Sequence, residues 1–214
     1  MIDMTREQER GAKKSGYVLR IEGIKKNFLA GKQRISALKG ISAKVRCGVV
    51  TGLIGPDGAG KTTLMRMIAG LLVPDSGEIS VLGMDVARDP LMVQASIGYM
   101  PQRFGLYEDL TVKENMDLYA DLRGVPKDHR SKRYEELMKM TGLAAFTRRL
   151  AGKLSGGMKQ KLGLACTLVK PPELLLLDEA TVGVDPVSRR ELWAIVYRLV
   201  QQEGISVLLS TAYL

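Results

Sequence analysis

A triphosphate is a row of anionic oxygens, and a loop that holds one needs successive backbone N–H groups turned inward. Gly55-Pro56-Asp57-Gly58-Ala59-Gly60-Lys61-Thr62 has the form of such a loop, G-x-x-x-x-G-K-[ST]. Gly55, Gly58 and Gly60 permit positive φ or a close backbone approach that a Cβ would hinder. Lys61 supplies a point charge for the β- and γ-phosphates, and the Thr62 hydroxyl is placed to ligate Mg²⁺. Val49 to Ile54 reads as a buried strand before the loop. Leu64, Met67, Ile68 and Leu71 recur at helical spacing after it, so a helix N-terminus faces the phosphates. With strand and helix on the correct sides, a chance match is the weaker reading.

The second group of reactive residues is acidic. Leu174-Leu175-Leu176-Leu177 reads as a buried strand, and Asp178 and Glu179 emerge at its C-terminal end, where open α/β sheets collect ligands. Asp178 can hold Mg²⁺ directly or through water, and Glu179 can orient or deprotonate the water that attacks the γ-phosphate. An apolar strand ending in two acids is common. Downstream of a complete phosphate loop it becomes the expected partner. A third element, Leu154-Ser155-Gly156-Gly157-Met158, joins a hydroxyl and two glycine N–H groups to the start of a helix carrying Leu162, Ala165 and Val169. That is a second anion site or, read blandly, a loop before a helix.

These groups must be positioned by a mixed framework. Tyr17 to Val45 alternates as an antiparallel sheet. Val73 to Gly77 reads as a turn after the phosphate-loop helix, and Ile79 to Leu82 as strand. From Arg103 to Val169 the pattern is helical. Thr111-Val112-Lys113-Glu114 has the form of a capping box, and a second helix is expected from Lys132 to Met140. Ser188 opens another helix with Leu192, Ile195, Val196 and Leu199 on one face, before a strand from Ile205 to Leu209. The expected organisation is a polar lead over 1–16, a first part of a nucleotide-binding core over 17–102, a helical subdomain over 103–169, and a second part of the core over 170–214.

Composition limits the alternatives. The 214 residues suffice for one large domain, and no apolar run approaches the ~18 residues of a membrane span. The polar start is no signal peptide, so the cytosol is the expected compartment. Cys47 and Cys166 read as reduced packing residues. The net charge of +9, spread over short runs such as Lys25-Lys26, Arg130 to Arg133 and Arg148-Arg149, fits an anion-attracting surface or an ordinary solvated exterior. Without interleaved aromatic residues the second reading is favoured, and no nucleic acid partner is expected.

Taken in order, the three motifs resemble those of ABC-type ATPases, from about Leu19 to the end of the chain. The resemblance implies an α/β P-loop NTPase fold of ABC type, with a mostly parallel core sheet, an antiparallel N-terminal β subdomain and an inserted helical subdomain. It implies ATP and Mg²⁺ as ligands, held by Gly55 to Lys61, Thr62 and Thr63. Ser155, Gly156 and Gly157 would be the signature, and Gln102, in Tyr99-Met100-Pro101-Gln102, the glutamine that reaches toward Mg²⁺ and the attacking water. Asp185 lies in the matching D-loop. Phe28 stands where such domains stack an aromatic ring on adenine, although a core phenylalanine fits as well. The wording of the motifs is similar to that of ABC-2-type and multidrug exporters, and most to the first ATPase half of tandem-duplicated members.

In that family two domains associate head to tail, so one domain's signature closes the other's phosphate loop. The expected partners are a second ATPase domain, identical or related, and an ABC-2-type permease that would hold the chain on the inner face of the membrane. The residues Phe104 to Tyr107 lie where the family receives the permease. Four positions depart from the pattern: Met158, Asp57, Ala180 and, most consequentially, Ala212, where a switch histidine is usual. His129, in the helical stretch, reads as solvated. A chain stopping inside the switch segment suggests a fragment or the first part of a longer polypeptide. Besides the exporter ATPase, two readings stay open: a degenerate ATP-binding half that regulates an active partner, and a soluble ABC ATPase acting on nucleic acid.

Overall fold

The computed structural model of the chain describes residues 16–31, 33–103 and 105–212. Its two sheets arise from two kinds of strand patterning. β1 (Tyr17–Ala30) and β2 (Gln33–Arg46) form a long antiparallel hairpin, extended by β4 (Ser76–Val81) and β5 (Met84–Asp85) in the order β2-β1-β4-β5. Most β2 side chains face solvent, while Leu38 and Val45 are buried. Such one-sided burial is what an antiparallel sheet allows.

The second sheet is parallel and has the order β3-β8-β7-β6. Its strands are β3 (Val50–Ile54), β6 (Ile97–Met100), β7 (Leu174–Asp178) and β8 (Ser206–Thr211). All five β7 residues are buried. Leu174 and Leu176 pack into a core shared with β1, β4 and α1 (Lys61–Ile68), while Leu175 and Leu177 pack against the helices on the other side. This explains the unbroken leucine run: a parallel strand covered on both faces has no polar side to show. Each fully buried leucine contributes about 1.5–3 kcal/mol.

The remaining helices are α2 (Pro90–Ser96), α3 (Val112–Leu122), α4 (Arg130–Thr141), α5 (Gly156–Thr167) and α6 (Pro186–Arg198). The expected capping box is formed: the Thr111 hydroxyl accepts from the Glu114 N–H at 3.2 Å, and the Glu114 carboxylate accepts from the Thr111 N–H at 2.8 Å. Those bonds from Thr111 hold the Glu114 carboxyl below its usual range.

Several expectations are corrected. The strand before the phosphate loop is only partly buried, with Ile54 53% exposed, because β3 is the first strand of its sheet and pairs with β8 alone among the described residues. Leu71 is exposed and lies beyond α1, which ends at Ile68. Ser76 and Gly77 belong to β4 rather than to a turn. The second helix of the helical stretch runs from Arg130 to Thr141, and α6 begins at Pro186, two residues before Ser188. Arg130, read as a surface cation, is buried: its guanidinium donates to the Val125 carbonyl and to the Asp121 carboxylate, tying α4 to α3. Sequence reading did not foresee α2 and β6. Cys166 is buried, Cys47 is half-buried, and both are free thiols. The polar lead, up to residue 15, lies outside the described residues, as do Phe104 and Tyr213. No helix among the described residues is long and apolar enough to cross a membrane.

Candidate nucleotide site

Parallel strands end on the same side, so the segments leaving their C-terminal ends gather along one edge of the sheet. The phosphate loop leaves β3, Glu179 leaves β7, Gln102 lies two residues past β6, and Ala212 comes directly after β8. The Gly55 N–H donates to the Thr211 carbonyl at 3.3 Å, so the start of the loop is fastened to the end of β8. Asp57, Gly58 and Ala59 are exposed at the tip. Gly58 and Gly60 adopt φ of 77° and 87°, the left-handed region in which a Cβ is strained. Gly60 has a second reason to be glycine: a Cβ there would come within 2.7 Å of the Ala37 carbonyl on β2. The antiparallel sheet therefore presses directly on the base of the loop.

Lys61 is 6% exposed and carries three contacts. Its ammonium donates to the Gly55 and Pro56 carbonyls at 2.8 and 3.0 Å and pairs with Glu179 Oε1 at 3.2 Å. The other Glu179 oxygen accepts from Gln102 Nε2 at 2.9 Å. The Lys61 ammonium and the Glu179 carboxylate thus neutralise one another. An anion in the loop would compete with Glu179 for the ammonium.

Asp178 is fully buried and encircled by hydroxyls. Its Oδ1 accepts from Ser210 at 2.6 Å and from Thr62 at 3.2 Å, and its Oδ2 accepts from Tyr99 at 3.3 Å. Burial, and next the Asp178 charge, push the Tyr99 phenol up to about 12, so it remains a donor at neutral pH. Thr62 and Asp178 make a pair of hard oxygen donors, the chemistry a small divalent cation prefers. Beyond them the backbone turns sharply: Glu179 has φ of 50°, uncommon for a residue with a side chain and costing about 1–3 kcal/mol.

The signature lies elsewhere. Ser155 caps α5, its hydroxyl accepting from the Met158 N–H at 3.3 Å. Ser155 and Gly156 are exposed and Gly157 is buried. A Cβ on Gly157 would overlap the Ser188 side chain and approach the Asp185 carboxylate, so the α5 and α6 N-termini lie side by side. Asp185 caps α6, accepting from Val187 and Ser188 N–H groups at 3.1 and 2.9 Å, and the Ser188 contacts hold its carboxyl below the usual range. Its carboxylate serves its own helix.

Phe28 is 39% exposed on β1, which removes the core reading and leaves its ring available, with the Lys26 ammonium 5.8 Å from its centroid. His129 is exposed, as expected. Ser210 and Tyr99 are the contributions that sequence reading missed as Asp178 partners. Register brings them together: Ser210, next to the last residue of β8, pairs with Asp178 of β7.

Comparison with known proteins agrees with this arrangement. Residues 38–182 match the family profile described as ABC transporter. Over 92% of its length the chain is 57% identical to the probable multidrug ABC transporter ATP-binding protein YbhF of Escherichia coli (strain K12), of which it spans 34%. Over 91% of its length it is 39% identical to the doxorubicin resistance ATP-binding protein DrrA of Mycobacterium tuberculosis (strain ATCC 25618 / H37Rv), of which it spans 58%. The dimeric post-hydrolysis structure of the ATP-binding cassette MJ0796 bound to ADP and Pi superposes with a TM-score of 0.81 at 26% identity, covering 90% of this chain and 87% of that one.

Proposed function

The chain belongs to the ABC transporter family, and on that premise we propose that it binds and hydrolyses ATP to drive an exporter through a separate or linked membrane permease. The observation that carries this reading is the convergence of Lys61, Thr62, Gln102, Asp178 and Glu179 at one end of the parallel sheet. Phosphate oxygens entering the loop meet the N–H groups of Gly58 to Lys61 and take the Lys61 ammonium from Glu179. Glu179, still oriented by Gln102, then accepts a proton from the attacking water. Thr62 and Asp178, with Gln102, would hold Mg²⁺, which when bound neutralises charge on the β- and γ-phosphate oxygens. Thr63 lies in the first turn of α1, and Phe28 offers its exposed ring to adenine.

Export is favoured by the relatives' names, multidrug transport and doxorubicin resistance. ABC-2-type permeases and a place on the inner membrane face belong to the same proposal. The division into a core interrupted by a helical subdomain over 103–169 fits the helices from α3 to α5. Because Gly157 packs against Ser188 of α6 while Ser155 and Gly156 are exposed, the signature is free to supply the second wall of a site on another ATPase domain, docked head to tail. A second reading, a slow half-site that depends on a more active partner, draws on Ala212, whose methyl group donates no hydrogen bond. The binding assignment is tested by titrating a fluorescent ATP analogue: Lys61→Ala should lose about 1.5–3 kcal/mol of affinity. Equal binding by both proteins would remove the phosphate loop from its role.

A further inference from the structure

We infer that Ser210 is a positioning residue for this site, setting both the Asp178 carboxylate and the backbone of Glu179. The inference rests on the reading that a Mg²⁺-nucleotide occupies the phosphate loop. The Ser210 hydroxyl lies between the two acids: it donates to Asp178 Oδ1 at 2.6 Å and accepts from the Glu179 N–H at 3.0 Å. The same N–H also reaches the Ser210 carbonyl at 3.2 Å. One residue at the end of β8 therefore fixes the rotation of one carboxylate and the strained turn that aims the other.

Geometry separates Ser210 from the other hydroxyls around Asp178. Thr62, at 3.2 Å, must turn its oxygen to the cation when one is bound, and Tyr99, at 3.3 Å, makes a longer contact with the opposite oxygen. Ser210 is 3% exposed and held by the β7–β8 register, so it keeps its bond whatever enters the loop. It also lies two residues before Ala212, where the usual histidine is replaced. A serine already engaged in both directions is not a free donor for the γ-phosphate, so it does not stand in for the imidazole that Ala212 lacks.

Ser210→Ala should lower kcat by about ten- to a hundredfold, the loss expected for a hydrogen bond to a charged group, and should raise the KM for Mg²⁺–ATP by no more than the Mg²⁺ gain in affinity, because every phosphate-loop contact remains. Ser210→Thr, which keeps the hydroxyl, should recover most of it. Tyr99→Phe removes the longer bond from β6 and should have the smaller effect. The decisive readout does not require turnover: the affinity of a fluorescent ATP analogue is measured with Mg²⁺ and with EDTA, on variants whose thermal unfolding is cooperative. In wild type Mg²⁺ should tighten binding; in Ser210→Ala that gain should shrink toward none, in Tyr99→Phe partly, and in Ser210→Thr it should return. A Mg²⁺ gain seen in wild type and lost in Ser210→Ala, with no hydrolysis by wild type, would keep the positioning role and reject the hydrolase reading. A cooperatively folded Ser210→Ala with the wild-type Mg²⁺ gain and the wild-type kcat would overturn the inference.

Discussion

The phosphate-loop corner and the signature corner use the same device, a helix N-terminus after a glycine-bearing turn, yet only one of them comes with its chemistry. Around Lys61 the cation, two acids, a glutamine and three hydroxyls already contact one another, and Asp178 and Lys61 are almost shut off from solvent. Around Ser155 the capping groups of Ser155 and Asp185 serve their own helices, and Ser155 and Gly156 stand open. The difference supports the proposal that these are two halves of different sites. A set of first-turn N–H groups with an open face and no reactive side chain beside it is suited to closing on phosphates presented by another domain.

The comparison can be broken most severely at Glu179. Glu179→Gln keeps the size of the side chain and its contact to Gln102 but removes the base, so turnover should fall by about 10²–10⁴ while nucleotide binding persists. Phosphate release and analogue binding, measured on the same preparation, separate the two; unchanged turnover would take Glu179 out of the mechanism. Gly157→Ala probes the other corner. The added methyl overlaps Ser188, so α5 and α6 must part, at a stability cost of about 1–3 kcal/mol. Turnover should drop, yet the ATP analogue should bind the phosphate loop as before, and a loss of binding would show the corners to be coupled within one chain.

A smaller effect sharpens the reading of β8. Ala212→His adds a donor near charge that develops in the transition state and should raise steady-state phosphate release by about tenfold. A wild-type domain that is already fast and is unmoved by the substitution would reject the slow half-site. The smallest effect lies away from both corners, at Asp75, which accepts from Lys26 Nζ at 2.9 Å and from the Asn27 N–H at 2.7 Å. The Lys26 contact, then those of Asn27, lower its pKa to about 2 from 3.8. A depressed carboxyl stabilises the fold above its unfolded pKa, and that contribution disappears as pH falls through the folded value. Asp75→Asn should therefore flatten the acid limb of the stability curve between about pH 4 and pH 2, seen by thermal melts over that range.

Motifs held by local chain geometry were legible before the structure. The glycine-rich loop, the Thr111 capping box and the leucine run of β7 each announce themselves within a few residues, because backbone φ, helix capping and two-sided burial act locally. What was hidden depends on register between distant strands. That Ser210 faces Asp178, that Tyr99 reaches the same carboxylate from β6, and that Ala37 presses on Gly60 are consequences of pairings no local pattern encodes. Arg130 was misread for a similar reason: a cation in a basic run looks solvated until the carbonyl it holds, that of Val125, is seen. The start of α6 was placed late because Asp185, the N-cap residue ahead of Pro186, was read only as part of the D-loop.

The central claim, that each site is shared between two domains, is tested most directly by mixing defects. Lys61→Ala spoils a phosphate loop and leaves the signature intact; Ser155→Arg blocks a signature and leaves the phosphate loop intact. Each variant alone should be nearly silent in steady-state phosphate release. Mixed before assembly, they can form pairs in which one sound loop faces one sound signature, and turnover should return to a measurable fraction of the wild-type rate. A mixture as silent as its components, beside a wild-type chain that hydrolyses ATP, would contradict the shared site.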